Sequence, residues 1–325
     1  MILNNQFLVK ILYINILMKK IAVYLSASGH KSNRADNLIS FGKYLESKSY
    51  RVKYISNNLI EPADLAVIHG PVSDLEKNHI SPMHKFRQEI ARTQLSHKKP
   101  FLIFEGQLWG KNIENIKNQY QRCGLFSQTP DLGEFNNKNS PPNRWNMFLA
   151  RSKNTLIKDW RENGNHILFA MNNTGGSSNR GVDIIQWTCD KIMTIRTFTD
   201  RAILLRPYRL TDPEKDKLLN FTKNIKNLSF SSKGLEEDLI NAHSMVCYTT
   251  TSAVTSILLG IPVFTDHPAC WAYPVANKDL SLIETPILYN RDQWLYDLSY
   301  AQWHLDEIKL GVFWNHILPK LNAIW

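Results

Sequence analysis

Tyr248-Thr249-Thr250-Thr251-Ser252-Ala253-Val254 runs on through Leu259-Gly260 to Ile261-Pro262-Val263-Phe264-Thr265, and this stretch decides the fold. It reads as a strand end, a hydroxyl-rich turn, a short helix over 253–259, a glycine stop and a second apolar strand over 263–265. Strand, turn and helix in that order place a polar-lined helix N-terminus at the carboxyl edge of a parallel sheet. Phosphate or sugar oxygens suit such an edge, which points to a nucleotide-linked substrate rather than to a passive scaffold.

The alternation extends outward from there. In the same half, 166–171, 202–206 and 245–248 read as strands, with helices over 183–198 and 235–241. In the first half, 21–25 is an apolar strand ending in the small-residue turn Ser26-Ala27-Ser28-Gly29, and 33–47 carries Leu38, Phe41 and Leu45 at helical spacing. Strands over 50–55, 64–69 and 100–104 and a helix over 82–96 complete it. Strands alternating with helices imply βαβ units, parallel sheets and two doubly wound α/β halves. Residues 109–160 are polar, rich in Asn and irregular, and read as an interdomain region or an insertion. The tail over 292–325 reads as helical, and its aromatic stripe of Trp294, Tyr296, Tyr300, Trp303, Phe313 and Trp314 is expected to pack back across both halves. The expected division is therefore a leader over 1–17, an N-terminal half over 18–160, a C-terminal half over 161–290 and bridging helices over 291–325.

With 325 residues, 43% hydrophobic and 21% charged, the chain has the composition of a folded protein with room for two cores. Cys123, Cys189, Cys247 and Cys270 stand far apart with no CxxC spacing, which argues against a zinc site or a disulfide framework and for reduced thiols in a cytoplasmic protein. The net charge of +10 and pI near 9.3 favour polyanionic partners, nucleic acid or an anionic membrane face, although the richness in Lys and Asn also fits an AT-rich gene. Residues 1–18, MILNNQFLVKILYINILM, are too short and interrupted for a membrane span and lack the basic start of a signal peptide. Translation from Met18, or an accessory segment before it, accounts for them, and no export is expected.

Several clusters carry chemistry. The strand over 166–171 is followed by Asn172-Asn173-Thr174-Gly175-Gly176-Ser177-Ser178-Asn179-Arg180-Gly181, where glycines allow close backbone approach and Arg180 offers a fork for a diphosphate. It is neither a G-x-G-x-x-G fingerprint nor a P-loop. Arg206 ends the next strand, and Glu284 lies after the last core strand, where a carboxylate would accept from a ribose or a sugar. Glu105, at the end of the strand PFLIF, is the acid/base candidate, with His69 and Asp266-His267 as competitors. Ser28, Gly29 and His30, in the first βα turn, together with His69 would line the acceptor side. No Asp-x-Asp pair stands at a strand end, so a divalent metal is permitted but not required.

Taken together, these features resemble a GT-B glycosyltransferase. More narrowly, DLINAHSMVCYTTTSAVTSILLGIPVF, DLSLIE and YAQWHLDEIKLGVFW are similar to phage glycosyltransferases of hydroxymethylated DNA bases, and more loosely to capsule-polysaccharide transferases. The resemblance implies a nucleotide-sugar donor, UDP-glucose, held by the second half through Thr174 to Ser178, Arg180, Arg206, Thr249 to Ala253 and Glu284. In the phage β-glucosyltransferases the catalytic Asp follows a Tyr-Leu-Phe-Thr string, and Leu102-Ile103-Phe104-Glu105 looks like its counterpart with Glu in place of Asp. It further implies that Glu105 deprotonates the hydroxymethyl group of a modified pyrimidine in double-stranded DNA, with inversion. A surface-polysaccharide transferase and a non-catalytic DNA-binding protein of the same fold are the alternatives.

Overall fold

The computed structural model describes residues 19–28, 32–76, 81–109, 119–152 and 157–325. The leader over 1–17, together with Gly29 and His30, lies outside the described residues. In chain order the first elements are β1 (Lys20–Tyr24), α1 (Ser32–Ser47), β2 (Arg51–Ile55), β3 (Leu65–His69), α2 (Pro82–Ser96), β4 (Phe101–Gly106), β5 (Tyr120–Leu125) and α3 (Asn143–Arg151). Then come β6 (His166–Ala170), α4 (Ile184–Arg196), β7 (Ala202–Arg206), α5 (Asp212–Thr222), β8 (Leu228–Phe230), α6 (Leu235–Asp238), β9 (Ala242–Cys247), α7 (Ser252–Leu258) and β10 (Val263–Phe264). The tail holds α8 (Asp292–Ser299), β11 (Gln302–His304), α9 (Leu305–Lys309) and α10 (Val312–Asn322).

Local chemistry sets the helix boundaries. Pro82 starts α2, where a missing N–H removes no helical bond. The Asp183 carboxylate accepts from the amides of Ile185 and Gln186 at 2.9 and 3.0 Å and so caps α4. Ahead of α5, Glu214 reaches back to the Thr211 amide at 2.8 Å. Gly260 stops α7 at φ +74°, and a Cβ there would overlap the Asp159 carbonyl.

The second sheet is parallel throughout, in the order β10-β9-β6-β7-β8. From β6 the chain builds outward through β7 and β8, then returns to lay β9 on the other flank, which opens a crevice outside the carboxyl ends of β6 and β9. The first sheet has the order β11-β5-β4-β3-β1-β2. Here the expectation of a wholly parallel sheet is corrected, because β5 runs antiparallel to both β4 and β11.

Two more corrections follow. Within the region read as irregular, β5 and α3 are regular elements, and the tail read as helical contributes the strand β11. Both β8 and α5 fall in a stretch to which no element had been assigned.

Helices cover both faces of each sheet. Leu38, Phe41 and Leu45 of α1 pack with Val23, Val67 and Phe104 on one face of the first sheet, and Phe86 and Ile90 of α2 cover the other. The tail joins both cores, with Trp294, Leu295 and Leu298 beside Met245 and Val263, and Trp303, Phe313 and Trp314 beside Phe41 and Phe104. Burial of that much apolar surface, at about 25 cal/mol per Å², outweighs any intrinsic helix preference of the tail. The four cysteines are buried and unbridged. No helix among the described residues is long and apolar enough to cross a membrane.

Candidate active site

The carboxyl edges of the two sheets enclose a cavity of about 440 Å³. On the second-sheet side it is lined by Met171 to Asn173, Gly176 to Ser178, Arg206, Tyr208 and Thr249 to Ser252. Pro71, Glu105, Arg122, Gln128 and Thr129 come from the first-sheet half, and Trp271 from the segment after β10.

One side chain organises the second-sheet wall. Asn172, buried just past β6, donates through Nδ2 to Thr249 Oγ1 at 2.6 Å and to Asn179 Oδ1 at 3.1 Å. Its Oδ1 accepts from the Thr249 amide at 3.3 Å. Asn179, also buried, donates to the carbonyls of Asn173 and Thr174 at 2.6 and 3.1 Å, and the Ser178 hydroxyl lies 3.1 Å from that of Thr249. The glycine-serine loop after β6 and the threonine turn after β9 thus form one hydrogen-bonded body across the crevice. In the turn itself, Thr250 Oγ1 accepts from the Ser252 amide at 3.3 Å and orders the entry to α7.

The first-sheet wall carries the charge. Glu105 is the next-to-last residue of β4, half-buried, with Oε1 accepting from the Gly106 amide at 2.8 Å. It is the one carboxylate among the cavity-lining residues. Arg122 faces it across the antiparallel pair of β4 and β5. Burial lowers the proton affinity of this guanidinium and the nearby Glu105 carboxylate opposes that. Its guanidinium carbon sits 5.6 Å from the centre of the Trp271 ring. Behind this wall His69 is buried, its Nε2 lying 3.0 Å from Gln121 Oε1, and burial takes its pKa down to about 4 against the opposing pull of Glu105. The imidazole is therefore neutral at neutral pH. Arg87 donates to the Ala27 carbonyl at 2.8 Å, and its guanidinium fills the space that a side chain at Gly70 would need.

Of the residues singled out from sequence, Glu105, Gly176, Ser177, Ser178, Arg206 and Thr249 to Ser252 line the cavity. Thr174, Gly175, Arg180, Ala253, Glu284 and His69 do not. Arg180 instead has its Nη2 2.8 Å from Asp131 Oδ1, tying the second-half loop to the first half. Arg206 reaches the cavity but pairs with the buried Asp238 at 2.6 Å. Glu284 pairs with Arg201 at 2.5 Å and with Thr199, next to the start of β7 at the opposite, amino edge of the sheet. The Arg201 hydrogen bond takes its carboxyl down to about 2. Ala253 is fully buried, and its amide donates to the Thr250 carbonyl at 3.2 Å. Ser28 closes a short 3-10 turn after β1, while Gly29 and His30 lie outside the described residues. Arg122, Gln128 and Trp271 carry no signal in the sequence, whereas Asn172 opens the glycine-serine loop read from it, and its strand-end position is what could have marked its bracing role. No group of three His, Cys, Asp or Glu side chains gathers among the described residues, and no metal centre is assigned.

No protein-family model matches the chain, and no curated protein matches its sequence. Among solved structures it is similar to the Thermosulfurimonas dismutans KpsC beta Kdo 2,4 transferase, at 9% identity over 86% of this chain and 90% of that chain, with a TM-score of 0.51. The KpsC beta Kdo 2,7 transferase of the same organism aligns over 90% of this chain and 98% of that chain at 11% identity and a TM-score of 0.47. AviGT4, a glycosyltransferase involved in avilamycin A biosynthesis, aligns over 94% and 98% at 8% identity and a TM-score of 0.31. The first of these likenesses establishes a GT-B-like α/β fold and nothing finer.

Proposed function

We propose that the chain is a glycosyltransferase that binds a nucleotide sugar in the cavity between its two sheets. The observation that carries this reading is the composition of the two walls. One is a braced pair of hydroxyl- and amide-rich loops at a topological switch point, and the other presents a single carboxylate, Glu105. In this reading the half up to residue 160 holds the acceptor, 161–290 holds the donor, and 291–325 joins them. Thr250 to Ser252 and Gly176 to Ser178 grip the diphosphate, and the exposed ring of Tyr208 offers a stacking face to the base. Glu105 removes the proton from the attacking hydroxyl. With one lining carboxylate, direct displacement with inversion is the simplest route. Negative charge that develops on the departing nucleotide is met by backbone amides and the free nitrogens of Arg206.

For the acceptor we favour a surface polysaccharide, in keeping with the fold shared with a beta Kdo transferase. Hydroxymethylated DNA is the second reading, and the net charge of +10 is what favours it. Labelled UDP-glucose and a panel of other nucleotide sugars, each offered with capsule-type oligosaccharides and with hydroxymethylcytosine or hydroxymethyluracil DNA, separate the two. Transfer to saccharide is the expected result; transfer to DNA alone moves the assignment to the second reading. Absence of both transfer and nucleotide binding across the panel overturns the glycosyltransferase reading.

A further inference from the structure

Arg122 is the cationic side chain of the cavity that no partner satisfies. It is only 9% exposed, yet its Nε has no hydrogen-bond partner, and no ion pair or hydrogen bond engages the guanidinium among the described residues. The contrast with its neighbours is chemical. Arg180 is paired with Asp131, Arg206 with Asp238, and Arg87 donates to a backbone carbonyl. A guanidinium carries five N–H donors, and leaving a buried charged donor without an acceptor is among the more expensive arrangements in a protein interior. Such a group persists where a ligand supplies the acceptor. Its position on β5, beside Glu105 and against the face of Trp271, is on the first-sheet wall, across the cavity from the loops that face the diphosphate.

We infer that Arg122 is an oxyanion subsite, and that the acceptor of the reaction carries a carboxylate or phosphate next to the hydroxyl that Glu105 activates. This rests on the glycosyltransferase reading above. A carboxylate, or two oxygens of a phosphate, meets the guanidinium fork through two parallel N–H···O bonds, which fixes the acceptor in rotation as well as in position. Bound there, it sets a hydroxyl two or three bonds away against the Glu105 carboxylate. A neutral sugar of the same shape would leave the fork unfilled, so the subsite selects by charge and not by size.

The test uses the full chain saturated with UDP, and calorimetric titration with matched probes: methyl glucuronide against methyl glucoside for the carboxylate, and glycerol phosphate against glycerol for the phosphate. One charged probe is expected to bind about tenfold or more tightly than its neutral twin. Which pair shows the difference identifies the anion. Arg122→Gln should erase that preference while UDP affinity stays unchanged, and Arg122→Lys should keep part of it. Equal or undetectable binding of charged and neutral twins by the wild-type chain overturns the inference, and this comparison needs no variant to fold. A fall in UDP affinity in Arg122→Gln with the probe preference intact assigns Arg122 to the donor phosphates and also overturns it. Preference for UDP-glucuronate over UDP-glucose that depends on Arg122 puts the anion on the donor and overturns the acceptor assignment. If no nucleotide binds at all, the glycosyltransferase reading fails, and the probe comparison in its absence still decides whether Arg122 binds an anion.

Discussion

Replacing Asn172 with Ala should uncouple the two loops of the second-sheet wall. The side chain makes three hydrogen bonds, at 2.6, 3.1 and 3.3 Å, and is 7% exposed. Truncation leaves the Thr249 amide and the Asn179 carbonyl oxygen buried without it, at about 1–3 kcal/mol for each unsatisfied group. A loss of roughly 3 kcal/mol is the working figure, a factor of about 150 in an equilibrium constant. At about 2.1 cal/mol/K of unfolding entropy per residue, a chain of 325 residues loses about 4 °C of melting point. Asn172→Asp should fare no better, because its second oxygen would face the carbonyl end of Asn179, whose amide end is held by Asn173 and Thr174 at 2.6 and 3.1 Å. Urea unfolding measures the stability term, and titration with UDP measures the site, where weakening by tenfold or more is expected because both loops must be ordered together. If Asn172→Ala stays within about 1 kcal/mol of wild type and keeps its UDP affinity, the brace is not what holds the wall. A destabilised variant with unchanged UDP affinity would instead break the link between the brace and the donor.

Three further outcomes are expected. Glu105→Gln should lower the transfer rate about 10²- to 10⁴-fold with nucleotide binding intact, read by steady-state kinetics beside UDP titration; unimpaired transfer would remove Glu105 as the base. His69 has a folded pKa of about 4, below its ordinary 6.5, so the unfolded chain takes up the proton first as pH falls. The stability contribution of its buried neutral ring is complete above pH 6.5 and is lost between about 6.5 and 4, a loss of roughly 3 kcal/mol that His69→Gln should remove from the stability profile measured across that window. Trp303→Ala empties a site 2% exposed and withdraws the ring that lies 3.9 Å beneath Arg144, at about 3–5 kcal/mol by chemical denaturation.

Legibility in the sequence followed the physical origin of each element. Where burial alone shapes a segment, as in the apolar runs of β1, β3, β4 and β6, hydrophobicity bounded by Gly, Pro or Ser marks a strand. The fully buried β5 reads Tyr-Gln-Arg-Cys-Gly-Leu, and it hides because Gln121 and Arg122 interrupt the apolar run. The same residues that make it chemically interesting conceal it as a strand. In α5 only Leu218 and Thr222 are buried, and β8 is three residues long, so neither carries a pattern strong enough to read. The cavity-lining loops were legible because Gly, Ser and Thr clusters announce themselves after strands. The ion pairing of the arginines was not, since Asp131 lies 49 residues from Arg180 and Asp238 lies 32 from Arg206. Glu284 shows the same limit from the other side: proximity to a strand in sequence does not say at which edge of the sheet a side chain emerges.

The strand β11 pairs with β5 through Gln302, Trp303 and His304. Because β11 is made after the other strands of that sheet, the first sheet emerges from the ribosome with β5 as an open edge. That edge, an aggregation hazard while unpaired, stays open until Gln302 to His304 have been made. Gln302 also accepts from the Leu108 amide at 2.9 Å and so helps to seat the segment that follows Glu105. A chain halted before Gln302 therefore carries both an adhesive edge and an unseated segment after Glu105.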